Sequence, residues 1–262
     1  DAMFVVGDEC EPDDLAWAEK VIARMRALLW GPGPEPALVI DADLRPDGRN
    51  GPMVRRLGSY LSYYRRWSDT WESQALLRAS FGAGDRELVD RLLEGITFRR
   101  YPADGINPTQ VAAIRQLKGR MERERTRRGA ATENLKLGPG GLSDIEWTVQ
   151  LLQLQHAGQM PKLRVPGTQD ALEVARKTML ISDTDAEALS VAWQLASQLR
   201  NKAMLVRGRP SDLLPSDPRE TASVATLLGY EHAQASQLMD AWAKAARHAS
   251  QVVGRLFWGL NR

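Results

Sequence analysis

The sequence is poor in the residues that form cross-links or bind soft metals. It contains one cysteine and three histidines in 262 residues. A single Cys10 excludes an internal disulfide, and the scattered histidines offer no imidazole or thiolate metal site. Any metal ion would therefore be held by oxygen atoms.

Long apolar runs and an excess of one charge are also missing. No segment approaches the roughly 18 apolar residues of a membrane span, and the acidic start of the chain differs from a signal peptide. We therefore expect a cytoplasmic protein that has no membrane partner. The net charge of +2 gives no indication of a nucleic-acid partner.

The composition that is present describes a globular protein. The chain is 43% hydrophobic and 26% charged, and it contains eight tryptophans, which we expect to pack in the interior rather than to stack on bases. At this length one core tends to split in two. We predict two domains, residues 1–103 and residues 104–262, with the boundary within residues 100–107.

The periodicity of apolar residues changes along the chain. Short strands are predicted at residues 2–6 and 37–44, on either side of a helix at 13–30. After Pro52 the period becomes helical. The predicted helices cover residues 59–66, 70–80, 85–97, 108–127, 143–156, 168–180, 184–206, 218–228 and 233–257. The fold class is therefore α+β and mostly helical. The first predicted strand begins at the second residue of the chain, so we expect a domain cut from a longer chain.

Two carboxylates stand close together in the stretch VIDADLRPDGRNGP, which begins at Val39. In an extended segment Asp41 and Asp43 point to the same side. Adjacent carboxylates disfavour each other's ionisation unless they are well solvated or bind a cation. An acidic pair beside Arg45 suits metal-bridged phosphate groups, with the arginine neutralising phosphate charge. A solvated outer strand face is the alternative interpretation.

Three long motifs resemble the glutamine synthetase adenylyltransferase family. They are DADLRPDGRNGP, SYYRRWSDTWESQALLRASFGAGD and LKLGPGGLSDIEWTVQLLQLQHA, and the similarity runs along nearly the whole chain. The resemblance implies an N-terminally incomplete nucleotidyltransferase domain of the DNA polymerase beta type, followed by an all-α helical bundle. It also implies Mg²⁺-dependent transfer of AMP from ATP to a tyrosine hydroxyl of glutamine synthetase, which regulates nitrogen assimilation.

Alternatives remain open within this resemblance. The chain resembles the C-terminal, adenylylating half of the family, but the other half removes AMP by phosphorolysis. A related enzyme is the uridylyltransferase that acts on the signalling protein PII. A non-catalytic regulatory or docking module for glutamine synthetase or PII is a further possibility.

The resemblance assigns the acidic residues. Asp1 matches the second carboxylate of the family's Gly-Ser-Asp-x-Asp motif, and Asp41 matches the third acid, so both are expected to be catalytic and to bind Mg²⁺. Asp43 stands where the family is often basic, and it either tunes the site or is a surface acid. Because the first carboxylate is absent from the sequence, we expect weak ATP binding and poor turnover.

Further nucleotide-binding residues are implied by the second motif. Glu72, Gln74 and Arg78 fall on the predicted helix 70–80, where Gln74 and Arg78 are four residues apart and share a face. The resemblance suggests that this helix lines the nucleotide cleft. A surface polar pair with packing residues explains the same pattern.

The third motif supplies Lys136, Asp144 and Glu146. Ser143 and Glu146 have the spacing of a capping box, which by itself explains Glu146. The Gly-rich stretch after Lys136 could offer main-chain amides to phosphate near a helix start. The resemblance implies that this segment approaches the nucleotide cleft.

Overall fold

The structure is a computed structural model that describes residues 1–31, 37–126, 133–231 and 234–260. The chain forms two compact units, Asp1–Ala103 and Asp104–Arg262. We describe each unit by itself.

The first unit begins with a β-α-β arrangement. Strand β1 (Phe4–Val6) pairs in parallel with strand β2 (Val54–Arg56). Parallel neighbours need a crossover connection, usually a helix, and α1 (Pro12–Trp30) lies between the two strands in the chain and contacts β2. Although α1 is 19 residues long, none of its residues is buried.

Four further α-helices belong to the described residues of this unit. They are α2 (Leu57–Arg66), α3 (Thr70–Leu76), α4 (Arg86–Gly95) and α5 (Thr97–Arg100). Helices α2 and α4 contact each other, as do α3 and α5. Their buried side chains form one hydrophobic cluster. The cluster consists of Leu57, Tyr60, Tyr64, Leu76, Leu88, Leu92 and Ile96.

The second unit is a helical bundle in the part of the chain that the structure describes. Its helices are α6 (Pro108–Thr126), α7 (Leu142–His156), α8 (Thr168–Lys177), α9 (Asp183–Arg207), α10 (Pro218–Leu227) and α11 (Ala235–Leu256). Helix α9 contacts α7, α8, α10 and α11. Its buried face includes Ala192, Ala196 and Ala203, and these small side chains allow close approach of the neighbouring helices.

The mostly helical fold predicted from the periodicity is confirmed. Each predicted helix has a counterpart, although several end earlier than expected, and Arg127 and Ala233 lie outside the described residues. The first predicted strand is also confirmed, as β1. Within the described residues, no helix is both long and apolar enough to cross a membrane.

The second predicted strand, at residues 37–44, is wrong. The structure has no strand there, and Leu38 and Val39 are both exposed. The Asp41 carboxylate accepts a hydrogen bond from the Asp43 amide at 2.8 Å, and side-chain bonds of this kind compete with sheet pairing and favour turns. The strand that pairs with β1 is instead Val54–Arg56, after the turn.

Candidate functional site

The first candidate site lies where residues 1–2 run beside residue 41. The Ala2 amide donates to the Asp41 carbonyl at 2.6 Å, which brings the backbones of the two predicted metal-binding acids, Asp1 and Asp41, alongside each other. Both residues are exposed. One carboxylate oxygen of Asp41 accepts from the Asp43 amide, which fixes the orientation of this side chain.

Magnesium is the metal that the resemblance implies, and the donor set fits it in one specific way. No group of three or more His, Cys, Asp or Glu residues that could hold a metal exists among the described residues. Mg²⁺ is commonly held by one or two carboxylates together with substrate phosphates and water. Asp1 and Asp41 therefore suit an ion that arrives with a nucleotide, and they do not suit an ion bound by protein alone.

Arg45 shapes the loop that follows Asp41. Its side chain is only 7% exposed, and its guanidinium donates to the carbonyls of Gly51 at 3.1 Å, Ala42 at 2.7 Å and Arg49 at 3.4 Å. A guanidinium carries five N–H donors and no acceptor, so one arginine gathers three carbonyl groups around itself. The structure thus shows Arg45 as a clamp for residues 42–51, a role that the sequence did not suggest.

A second arginine and two special backbone positions complete this loop. Arg55 donates to the Pro46 carbonyl at 3.1 Å and forms an ion pair with Asp47. Asp47 has a left-handed backbone with φ of 62°, which is uncommon for a non-glycine residue. At Gly51 a Cβ atom would lie 2.2 Å from the Pro46 carbonyl oxygen. Only glycine allows this close approach of the two backbone segments.

Asp43 is engaged in ion pairs on the outside of the loop. Its carboxylate lies 2.7 Å from the Arg49 guanidinium and 3.8 Å from that of Arg45. The hydrogen bond from Arg49 to Asp43 raises the pKa of the arginine. These contacts fit a charge-balancing role for Asp43. That Asp41 binds metal and Asp43 does not remains a prediction.

Glu72 is buried at the start of α3. It is 5% exposed, and its carboxylate accepts from the Asp69 amide at 2.7 Å in a capping box. Burial raises the pKa of Glu72, while the bonds from the Asp69 amide and the Tyr63 hydroxyl oppose this shift. The structure therefore gives Glu72 a helix-capping role.

Tyr63 connects Glu72 to the loop of residues 42–51. Burial, followed by its hydrogen bond to the Glu72 carboxylate, raises the pKa of Tyr63 to about 12, and the backbone of Asp47 lies within hydrogen-bonding reach of the same hydroxyl. The Tyr63 hydroxyl thus faces both Glu72 of α3 and the loop. Sequence reasoning missed Tyr63 and Arg55. The only available signal for Tyr63 was its place three residues after Tyr60 on one helix face.

Gln74 and Arg78 do not share a helix face, contrary to the prediction. Helix α3 ends at Leu76, so Gln74 is buried within it whereas Arg78 is exposed beyond it. Beyond this helix end Arg100, which is 8% exposed, donates to the carbonyls of Leu77 at 3.4 Å and Ala79 at 2.8 Å. A buried arginine thus satisfies carbonyl groups that lack an intrahelical partner there.

The second candidate site is a buried charge cluster in the second unit. Lys118 on α6 is 2% exposed, and its ammonium lies 2.5 Å from Asp144 and 2.8 Å from Glu122. The other oxygen of Asp144 accepts from the Gly140 amide at 2.9 Å. Asp144 thus anchors the Gly-rich loop to α6. The sequence offered only a weak signal for Lys118, namely its spacing of four residues from Glu122.

The loop at residues 134–141 is held rigidly on several sides. The Asn134 side chain accepts from the amides of Lys136 at 3.0 Å and Leu137 at 2.7 Å. Gly140 has φ of 69°, and a Cβ atom there would lie 2.0 Å from the Ala246 carbonyl oxygen of α11. The side chain of Lys136 is exposed.

The predicted capping box of Ser143 and Glu146 is wrong. Helix α7 begins at Leu142 with Gly141 as its N-cap, and the Ser143 amide donates to the Lys136 carbonyl at 2.8 Å. The helix therefore starts earlier than the pattern suggested, because the Gly-rich loop closes directly onto it. Asp144 occupies the third helical position instead, and its carboxylate reaches back to the Gly140 amide.

The expectation that the tryptophans pack in the interior is wrong for half of them. Four are substantially exposed, and all of these belong to the first unit. The exposed fractions are 67% for Trp17, 65% for Trp30, 75% for Trp67 and 40% for Trp71. Trp242 of the second unit is buried as expected.

Comparison with protein-family models divides the chain at nearly the same place as the structure. Residues 4–95 match the model described as glutamate-ammonia ligase adenylyltransferase. Residues 112–257 match the model described as GlnD PII-uridylyltransferase. Both descriptions name nucleotidyl-transferring enzymes.

Curated relatives match almost the whole chain. A bifunctional glutamine synthetase adenylyltransferase/adenylyl-removing enzyme of Cutibacterium acnes is 52% identical over 98% of this chain and 26% of its own length. Enzymes of the same name from Streptomyces coelicolor and Mycobacterium tuberculosis are 52% and 46% identical over 92% and 98% of this chain. The chain belongs to this adenylyltransferase family, and it spans about a quarter of the length of the curated relatives it matches.

Proposed function

We propose that this chain takes part in the transfer of AMP from ATP to a tyrosine hydroxyl of glutamine synthetase. The observation that carries the proposal is the 52% identity to an enzyme of that name over 98% of the chain. The adenylyltransferase model covers residues 4–95, which include Asp41, Arg45, Glu72, Gln74 and Arg78. In this proposal the first unit is a nucleotidyltransferase domain.

Asp1 and Asp41 are the residues that would hold magnesium in this reaction. A bound Mg²⁺ ion would supply electrostatic stabilisation of the phosphate charge. The loop clamped by Arg45 would fix Asp41 in place, so that little reorganisation is needed when the nucleotide binds. The donors of Arg45 are directed at carbonyls, so this residue would contribute positive charge rather than direct hydrogen bonds to phosphate.

The transfer is a substitution at the α-phosphorus of ATP. The tyrosine oxygen forms a bond to this phosphorus while the bond to the pyrophosphate oxygen breaks, and pyrophosphate leaves in line with the attack. The hydroxyl proton needs an acceptor within hydrogen-bonding reach. The carboxylate of Asp41 would take it, through the oxygen that does not accept from the Asp43 amide.

Residues of the second unit remain proposed nucleotide-binding groups. Lys136 presents an exposed ammonium next to the rigid loop, and Glu146 lies one turn into α7. Asp144 would act indirectly, because both its oxygens already bind Lys118 and the Gly140 amide. Its proposed part is to hold the loop in the shape that the nucleotide needs.

Transfer of UMP to a PII-type protein is the second candidate. The observation that favours it is the match of residues 112–257 to the uridylyltransferase model. We place it second because the acids proposed for catalysis lie in the first unit, where the matching model describes an adenylyltransferase.

The experiment is a labelling assay with two nucleotides and two acceptors. The chain is incubated with α-labelled ATP or UTP, Mg²⁺, and either glutamine synthetase or PII, and labelled tyrosines are located by mass spectrometry. A second version carries a Gly-Ser-Asp-Ala segment ahead of Asp1, which restores the Gly-Ser-Asp-x-Asp spacing of the family motif. AMP on a glutamine synthetase tyrosine supports the proposal.

The other outcomes separate the alternatives. UMP on PII establishes the uridylyl reaction instead. Phosphate-dependent release of AMP from adenylylated glutamine synthetase, without transfer, assigns the reverse reaction. Binding of either protein without any labelling by either version indicates a non-catalytic docking module.

A further inference from the structure

Arginine and tryptophan side chains are exposed together where α2 ends and α3 begins. We call this surface the Trp67 corner and define it by Arg65, Arg66, Trp67 and Trp71. Trp67 is 75% exposed and Trp71 is 40% exposed, and both arginines are exposed. Tryptophan and arginine are the residues most enriched among those that dominate binding energy at protein interfaces.

The backbone of this corner is fixed by hydrogen bonds on both sides. The Trp67 amide donates to the Tyr63 carbonyl at 2.9 Å, and the Ser68 hydroxyl donates to the Tyr64 carbonyl at 3.0 Å. The guanidinium of Arg99 donates to the same Tyr64 carbonyl at 2.6 Å. The aromatic side chains are therefore presented on a preorganised turn, which lowers the entropy cost of binding a partner.

The positive charge of the corner is not balanced locally. Within the described residues, neither Arg65 nor Arg66 forms an ion pair. The nearest acids along the chain, Asp69 and Glu72, are bound to each other's backbone amides in the capping box of α3. Arg99 adds a further positive charge close to Glu72. The two exposed guanidinium groups therefore favour a partner that brings negative charge.

The corner adjoins the first candidate site. Tyr64, whose carbonyl holds Ser68 and Arg99 at the corner, donates from its hydroxyl to the Met3 sulfur at 3.5 Å. The neighbouring Ala2 amide donates to the Asp41 carbonyl at 2.6 Å. Trp71 precedes Glu72 directly in the chain. A partner held at the Trp67 corner would thus lie beside the residues proposed to act on a tyrosine.

We propose that the Trp67 corner binds an acidic segment of the protein that carries the acceptor tyrosine. This inference rests on the proposed function, and it names the chemistry that selects the protein substrate. The two guanidinium groups would pair with carboxylates of the segment, and the indole rings would pack on the aliphatic parts of its side chains. A protein segment fits better than nucleic acid, whose binding depends on many phosphate contacts, because the chain has a net charge of only +2.

The test measures binding without any nucleotide. A fluorescein-labelled 15-residue peptide that contains one tyrosine and several Asp and Glu residues is titrated with the chain, and anisotropy gives Kd. Arg65→Glu combined with Arg66→Glu should weaken binding at least ~10-fold, and Trp67→Ala at least ~5-fold. Higher salt should weaken binding by the unaltered chain.

Matched controls come from α1. Trp17 is 67% exposed, similar to Trp67, and Arg24 is exposed like the two arginines. Trp17→Ala and Arg24→Glu should change Kd less than ~2-fold, because surface changes away from a binding site have small effects. Thermal unfolding of every variant should match that of the unaltered chain, since all these side chains are exposed.

Several results would overturn the inference. These are no binding of the acidic peptide, equal binding of a peptide with Asn and Gln in place of the acids, equal effects of the α1 and corner variants, or tighter binding of single-stranded DNA through the same residues. The test distinguishes failure of this inference from failure of the proposed function. Peptide binding without AMP transfer would support the docking surface and refute the proposed reaction. AMP transfer with an unchanged KM for glutamine synthetase in the corner variants would support the reaction and refute the docking surface.

Discussion

In the first unit Arg45 and Arg100 are buried against main-chain carbonyls, whereas in the second unit Lys118 is buried against two carboxylates. An arginine bound to carbonyls shapes a loop and keeps its positive charge. A lysine bound to carboxylates joins two helices, and its charge is offset by those of its partners. The comparison teaches that the first unit uses a buried cation to gather main-chain carbonyls and shape a loop, whereas the second unit uses one to tie a loop and two helices together through carboxylates.

The largest expected effect comes from breaking the buried pair of the second unit. Lys118→Met leaves Asp144, which is 7% exposed, without its cation. Removing one partner of a buried ion pair costs roughly 3–5 kcal/mol. Urea denaturation should show this loss in the free energy of unfolding. Lys136→Met, at an exposed lysine in the same loop region, should change it by less than about 0.5 kcal/mol.

The double variant Lys118→Met/Asp144→Leu sharpens this prediction. Replacing both members of a buried pair with apolar groups is often nearly neutral, so it should recover most of the loss, although the Gly140 amide loses its acceptor. A single variant Lys118→Met that unfolds within about 1 kcal/mol of the unaltered chain would show that Asp144 does not depend on Lys118.

The next effect concerns the close approach of the Gly-rich loop to α11. Gly140 and Gly208 have nearly the same positive φ, 69° and 66°, but a Cβ atom meets the Ala246 carbonyl only at Gly140. Both alanine variants bear the left-handed backbone cost of about 1–2 kcal/mol. Gly140→Ala should cost at least about 2 kcal/mol more than Gly208→Ala, because a clash must be relieved. Equal losses of stability in the two variants, measured by thermal unfolding, would mean that the loop moves away from Ala246 at no cost.

The arginine clamp of the first unit should give a smaller effect. Arg45→Met removes the donor of three carbonyls and should cost about 1–3 kcal/mol, the scale for unsatisfied buried groups. Amide hydrogen exchange at Gly48 and Gly51 should become faster. Arg49→Met serves as the control, because the Arg49 side chain is 85% exposed and pairs with Asp43 on the surface. If exchange in the loop is unchanged in Arg45→Met, Arg45 is not a clamp.

The smallest effect is a pH dependence at Tyr63. Its pKa of about 12 in the folded chain exceeds the ordinary value of 10, so the neutral hydroxyl stabilises the fold fully below pH 10. This contribution falls as pH rises from 10 to 12. Tyr63→Phe should lower the free energy of unfolding by about 1 kcal/mol or less at pH 8. Between pH 10 and pH 12 the variant should lose less stability than the unaltered chain does. Unfolding curves across this range test it, and identical alkaline losses in both proteins would refute it.

Helical periodicity sufficed to predict the helices, because amphipathic faces repeat wherever a helix packs on a core. Periodicity predicted the wrong element or the wrong helix end where side chains hydrogen-bond to the backbone. The Asp41 carboxylate turned a predicted strand into a turn. Helix α3 ends at Leu76, four residues before the predicted end, and Arg100 binds the carbonyls of Leu77 and Ala79 beyond it. Arg45 was singled out from its motif, but its carbonyl partners depend on the folded loop. Lys118 meets Asp144 from another helix, and a spacing pattern does not contain that contact.

The central claim, that Asp41 does the chemistry of the first unit while Asp43 balances charge, is tested most directly by one pair of variants. In the version that carries Gly-Ser-Asp-Ala ahead of Asp1, AMP transfer to glutamine synthetase is measured for Asp41→Asn and Asp43→Asn. Asp41→Asn should lower kcat/KM at least ~10²-fold, the scale of one electrostatic stabiliser, and Asp43→Asn should lower it far less. Equal losses in the two variants would contradict the account.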